Sequence, residues 1–215
     1  MAKARKDGGS GKGWAGPDGA GKQRGGVKPE KKGGGGVIHV ALLRGINVGG
    51  KNMLPMGALV EFFEGAGCTE VRTYINSGNV VFAASAAAAK KVARAVEGEI
   101  EKRFGFRSPV VIRTAEEMER IAAACPYDGG AIDHKRLYVG FLLAEPEAGR
   151  AAKLDPKRSP GDLFELRGRE VYMHLGNGAA DTKLTNAYFD SVLGTVVTGR
   201  NWRTVLKLVE MGRGE

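Results

Sequence analysis

From Val37 onward the apolar residues switch between short β-branched runs and helical spacing, and the order of those switches occurs twice. "VIHVALL" reads as a strand. Met56, Leu59, Phe62, Phe63 and Ala66 then recur at helical spacing, with Gly67 placed to end the helix. "VRTYI" and "VVFA" are short strands on either side of "NSGN", a hairpin signal built on Asn and Gly. A long helix from Ser85 to Phe104 carries Val92, Val96, Ile100 and Phe104, and "PVVIR" closes the unit. Strand-helix-strand-strand-helix-strand is the ferredoxin-like order.

Thr114 and Glu117 form a capping box opening a linking helix, which Pro126 stops. The same order then resumes. "RLYVGFLL" is a strand, and Pro146 to Lys153 is a short helix. "LFELRG" and "REVYMHL" make a hairpin near Gly168, a helix spans Leu184 to Leu193, and "TVVT" is a strand. A last helix places Trp202, Val205, Leu206 and Val209 on its core side. The expectation is an α+β protein with two ferredoxin-like (βαββαβ) subdomains, 37–113 and 135–215. Residues 114–134 link them, and the C-terminal helix belongs to the second.

The first 36 residues do not fit this scheme. They hold 13 Gly and nine Lys or Arg, with little apolar beyond Trp14, too little to offset a backbone entropy of roughly 1–2 kcal/mol per residue. The segment reads as a disordered tail, and it lacks the apolar core of a secretory signal. Against Asp7, Asp18 and Glu30 it carries +6 of the chain's net +9. Such a tail suits weak, salt-sensitive contact with nucleic acid. Cys68 and Cys125 form no spaced pair, and His39, His134 and His174 lie far apart, so neither a disulfide framework nor a metal site is expected. No apolar run approaches the roughly 20 residues of a membrane helix, and the expected setting is the cytoplasm.

The topology gathers two polar clusters. If the first and third strands are neighbours, the loop after the first, "RGINVGGKN", lies beside "NSGN". That brings together Arg44, Gly45, Asn47, Gly49, Gly50 and Lys51 with Asn76, Ser77, Gly78 and Asn79. In the second half the turns "DTKLTN" and "GRNW" share an end, gathering Lys183, Thr185, Asn186, Arg200 and Asn201. Successive glycines let backbone N–H groups turn inward around an anion, and Arg or Lys supplies charge. The plainer alternative is a set of turns, with Asn186 and Asn201 capping helices. Gly45 and Gly50-Lys51 fit G-x-x-x-x-G-K, but Asn52 stands where a nucleotide-binding P-loop needs Ser or Thr, and Pro55 delays the helix.

RNA-recognition domains share the topology and stack bases on sheet-face aromatics. Here Arg169 and Val171 take the places where rings are needed, so Tyr138, Phe141 and Tyr172 are assigned to packing and surface cover. Catalytic motifs are lacking: no G-x-S-x-G, no H-E-x-x-H and no dinucleotide fingerprint. Lys51 or Lys183 as a base, or Tyr74 or Tyr172 as an acid, are candidates of the kind any fold offers.

"ALLRGINVGGKNMLPM", "VRTYINSGNVVF", "KLTN" and "RNWRTV" together resemble the bacterial domain of unknown function family DUF1697, over nearly everything from Val37 to the C-terminal helix. The resemblance implies two ferredoxin-like subdomains and no established reaction. Its characteristic stretches coincide with the two polar clusters, which favours a ligand role there.

Three functions are open from sequence. The first is a protein binding an anionic small molecule, such as a nucleotide or phosphate ester. The second is a transferase or hydrolase acting on a phosphorylated substrate between the halves, and the third a nucleic-acid accessory protein working through its tail. Cofactor and oligomeric state are unassigned. Deleting residues 1–36 is expected to abolish any salt-sensitive retention on single- or double-stranded nucleic acid; retention that survives the deletion removes the tail as its cause.

Overall fold

The computed structural model of the chain describes residues 36–129 and 133–215. The tail assigned to 1–36, and with it the nucleic-acid contact expected of it, lies outside the described residues but for Gly36. The described chain is mixed α+β: two four-stranded antiparallel sheets and five helices.

In the first sheet, β1 (Val37–Leu43), β2 (Thr69–Tyr74), β3 (Asn79–Ala84) and β4 (Val110–Thr114) lie in the order β2-β3-β1-β4. Helix α1 (Met56–Gly65) joins β1 to β2, and α2 (Ala86–Phe104) joins β3 to β4. Ser85 caps α2 through its side chain and Gly105 ends it in the left-handed conformation, as Ser and Gly do at those positions. Thr114 and Glu117 form the expected capping box of α3 (Ala115–Ala123). The second sheet, β5 (Leu137–Leu142), β6 (Asp162–Arg167), β7 (Glu170–Leu175) and β8 (Val197–Asn201), has the order β6-β7-β5-β8, with α4 (Asn186–Leu193) between β7 and β8. Helix α5 (Trp202–Arg213) follows β8 directly.

Two expectations need correction. The helix over Pro146 to Lys153 is only a 3-10 turn, Ala151–Lys153, because Pro146 and a left-handed Gly149 leave too few residues for a helical nucleus. The fourth strand of the second half is not "TVVT" followed by a turn at "GRNW". It runs from Val197 to Asn201, so Arg200 and Asn201 are strand residues paired with Val139 and Tyr138.

Both faces of both sheets are covered. Leu59, Phe63, Val92 and Val96 pack one side of the first sheet, and Phe189 and Leu193 one side of the second. Between the halves a shared core joins Val40, Leu42 and Val81 to Val139, Phe141 and Tyr172, with Trp202 and Val205 of α5 and Met118 and Ile121 of α3. Phe141 and Tyr172 are thus core residues, and the Tyr172 hydroxyl donates to Ile121 O at 2.9 Å. Among the described residues, packed side chains cover the sheet faces on which bases would stack.

The halves repeat each other in register. Leu42 faces Asn79 as Phe141 faces Glu170, and Val40 faces Arg113 as Val139 faces Arg200. Leu43 N–H donates to Gly78 O at 2.8 Å, and Leu142 N–H to Arg169 O at 2.9 Å. Arg113 and Arg200 are therefore counterparts, each the penultimate residue of an outer strand, and each reaches into the other half. Arg113 donates to Leu142 O at 2.8 Å, Arg169 O at 3.3 Å and its own strand's Ile112 O at 2.9 Å. Arg200 donates to Leu43 O at 2.7 Å, Gly78 O at 3.3 Å and Gly199 O at 2.9 Å.

The counterparts differ in charge at Nε. Arg113 Nε donates to the Glu170 carboxylate at 2.9 Å, whereas Arg200 Nε donates to the Asn79 amide oxygen at 2.6 Å. Burial lowers both guanidinium pKa values; at Arg113 the Glu170 charge pushes back, and at Arg200, with no such partner, the value falls to about 10. A buried charge stripped of its partner costs several kcal/mol. Glu170→Gln, which keeps the hydrogen-bond shape and removes the charge, is expected to lower unfolding free energy by about 2–3 kcal/mol in urea titrations. Superimposable curves for wild type and variant would show that the carboxylate contributes nothing to the joint.

Candidate functional site

The end of β1 and the β2–β3 hairpin meet at one rim, held by asparagines. Asn47, in the left-handed region at φ 53°, donates from its amide to Leu54 O at 3.0 Å and Asn76 O at 2.9 Å, and its oxygen accepts from Leu54 N–H at 2.8 Å. Asn52 donates to Gly45 O at 2.8 Å, closing the loop. Asn79 is fully buried and donates to Tyr74 O at 3.1 Å and Ser77 Oγ at 2.8 Å. Gly78 is obligatory: its φ is 74°, and a Cβ there would stand 2.6 Å from the Leu43 Cβ. This absence of a side chain lets the hairpin tip pack directly on Leu43 and Ile46.

From the second half Arg200 enters the same rim. Its Nη1 donates to Thr198 Oγ1 at 3.0 Å as well as to Gly199 O, and Nη2 has Ser77 O at 3.1 Å besides Leu43 O and Gly78 O. Every N–H of the guanidinium has an acceptor, and every acceptor is neutral. The cation is satisfied in hydrogen bonds and uncompensated in charge. Burial brings it down from the usual guanidinium range to about 10, which corresponds to about 3 kcal/mol, and it stays protonated at neutral pH.

A cleft of about 440 Å³ opens beside it, between the halves. The first half contributes Leu43, Arg44, Gly45, Ile46, Val48 and Ser77. Asn186, Thr198, Gly199, Arg200, Asn201 and Thr204 line the other side. Arg44, half-buried, pairs across the halves with Asp190 of α4, and its carbonyl accepts from Ser108 Oγ at 2.8 Å. The other Asp190 oxygen accepts from Val197 N–H at 2.7 Å. Arg44 and Asp190 cancel, so Arg200 gives the cleft wall a net positive charge. The lining holds no Asp, Glu, His, Cys or Lys among the described residues, and hence no group suited to moving a proton near neutral pH.

The two sequence clusters thus meet in part. Arg44, Gly45, Ser77, Asn186, Arg200 and Asn201 share the cleft, with Gly78 and Asn79 behind the wall. Asn47 and Asn76 line a separate hollow with Met53 and Pro55. Gly49, Gly50 and Lys51 form an exposed loop tip, and α1 begins only at Met56, so no helix N-terminus meets Gly50-Lys51 as in a P-loop. Lys183 is exposed, with its N–H on Ser159 Oγ at 3.0 Å, and Thr185 caps α4 through Tyr188 N–H. Neither lines the cleft. Asn201 caps α5, and its amide also reaches Lys135 O at 3.2 Å and Leu137 O at 3.3 Å. Sequence reasoning missed Asp190, Thr198 and Thr204. The signal for Thr204 was present: it stands three residues after a cap, where Glu117 stands in the corresponding helix.

A second hollow, of about 250 Å³, lies at the corresponding place around Arg113. There Glu170 pairs with Arg113, and Glu117 with Arg169 at 3.0 Å. The chain closes that cleft with its own carboxylates. No helix of the described residues is long and apolar enough to cross a membrane, and among them no group of three or more His, Cys, Asp or Glu is placed to hold a metal ion.

No curated protein matches the chain. A conserved bacterial protein from Streptococcus pneumoniae, SP0830, shares the fold. Its solved structure superimposes with a TM-score of 0.63 at 21% identity, over 83% of this chain and 99% of that one. A family model described as protein of unknown function (DUF1697) matches residues 38–172. The chain belongs to the DUF1697 family.

Proposed function

We propose that the protein binds an anionic small molecule, of the nucleotide or phosphate-ester class, in the cleft between two ferredoxin-like halves. The observation that carries the reading is Arg200: a buried cation on the cleft wall whose counterpart, Arg113, has a carboxylate that Arg200 lacks. At about 5 Å and an effective dielectric near 20, a unit charge attracts an anion by about 3 kcal/mol, comparable to what its burial costs. Arg200 supplies field and no free donor. The donors come from Ser77, whose oxygen already accepts from Asn79 and whose proton is left to give, and from the Asn186 amide and Arg44. The ferredoxin-like label rests on the two strand orders, and the division at 113 and 135 on the two sheets.

This reading places the anion in the cleft and not at the glycine-rich tip. Binding is favoured over catalysis because the lining offers no general acid or base. Ligand-observed NMR with nucleotides and sugar phosphates tests it. Arg44→Ala removes a charged donor and bares the Asp190 carboxylate, so affinity should fall about tenfold or more. Lys51→Ala and Lys183→Ala should bind within about twofold of wild type, screened as those exposed charges are. The reverse pattern, loss with Lys51→Ala and none with Arg44→Ala, would move the site to the loop tip and refute the cleft.

A further inference from the structure

The N–H groups on the free edge of β8 say where within the cleft the anion sits. Strands β4 and β8 are both outer strands, and residues at non-bonded positions of an antiparallel pair point their N–H away from the neighbour. The bonds Arg44 N–H to Pro109 O and Leu143 N–H to Val196 O fix the phase of the two ladders. By that phase the outward N–H groups include Val110 and Thr114 on β4, and their counterparts Val197 and Asn201 on β8.

Three of those four meet a carboxylate. Val110 N–H donates to Glu97 at 2.8 Å, Thr114 N–H to Glu117 at 2.7 Å, and Val197 N–H to Asp190 at 2.7 Å. The fourth, Asn201 N–H, meets no acceptor among the described residues. The residue in the place of Glu117 is Thr204, three positions after the cap, and its hydroxyl makes no bond among the described residues. Asn201 and Thr204 line the cleft, and so does Gly199, whose N–H faces outward in the same phase.

Resting on the anion-binding reading, we propose that the ligand seats a singly charged oxyanion of carboxylate size on the N–H of Asn201. There it takes the position that the Glu117 carboxylate holds in the corresponding cleft. Thr204 is the specificity-determining residue: short and neutral, it leaves the seat open where a glutamate closes its twin. The ligand supplies both the missing cap and the missing counter-charge to Arg200. The chemistry is shared by carboxylates and phosphodiesters, and it narrows the ligand to groups carrying one charge at the seat.

The full chain is titrated with acetate, dimethyl phosphate and inorganic phosphate, and backbone amide shifts are followed by NMR. Acetate or dimethyl phosphate should move the Asn201 and Gly199 signals saturably, and the more effective of the two identifies the source. Thr204→Glu should bind at least tenfold more weakly and melt a few degrees higher, because its carboxylate completes a capping box like that of Thr114 and Glu117. Lys183→Ala, outside the cleft, should keep binding within about threefold. Shifts confined to Gly49, Gly50 and Lys51, or undiminished binding by Thr204→Glu, would overturn the seat. Phosphate ester affinity that still depends on Arg44 would in that case leave the broader reading standing. No shift with any of the three anions overturns the seat, and if nucleotides and sugar phosphates also fail to bind, the broader reading falls with it.

Discussion

Two buried arginines hold the halves of this protein together, and the rest of the architecture follows from the need to satisfy them. A guanidinium has five N–H donors in a fixed plane, so burying one demands several acceptors arriving from different directions. Here they come from the end of one strand and the tip of one hairpin in the opposite half. Each half therefore completes the hydrogen bonding of the other. The apolar core between the sheets supplies the bulk of the burial, but apolar contact is indifferent to small slips. The arginines are not indifferent, since a displacement of an ångström would leave donors unmet in a low-dielectric interior.

The same duplication shows what is optional. Arg113 shows that a carboxylate fits the place beside such an arginine, because Glu170 occupies it. At Arg200 the chain places Asn79 instead, keeping the hydrogen bond and omitting the charge. Glu117 and Thr204 repeat the contrast one helical turn further on. At two corresponding places, one behind the cleft wall and one lining it, a neutral residue stands where the other half has an acidic one, and packing alone does not account for both. Packing would be served by either residue type; the electrostatic field would not.

Much of the fold was legible in the sequence because the informative features are local. Ser85, Gly105 and the pair Thr114 and Glu117 mark helix ends through bonds spanning three or four residues. "NSGN" marks a hairpin, and the order of periods gives the sheet neighbours. What escaped was set over long range. "GRNW" looks like a turn because Gly and Asn are weak strand formers, yet the ladder with Tyr138 and Val139 carries the strand through it. Arg200 was singled out for a polar cluster, but most of its acceptors lie in the other half. Asp190 offered no local clue at all: its partner Arg44 is 146 residues away. The helix expected at Pro146 failed for the opposite reason, a composition that suits helix overridden by Pro at its start and a left-handed Gly149 within it.

Placing the anion at the joint has a consequence for how binding and folding are linked. A ligand that compensates Arg200 would return part of the free energy spent on burying it, and that energy belongs to the contact between the halves. Ligand affinity and joint stability are then the same quantity seen from two sides, since whatever binds only the assembled cleft stabilises the assembled state. The cleft around Arg113 needs no such help, because Glu170 and Glu117 travel with the chain. On the proposed reading, one joint is closed by sequence and the other is left to be closed from solution. A fold built twice from the same register can in this way keep one copy for stability and use the charge of the other for recognition.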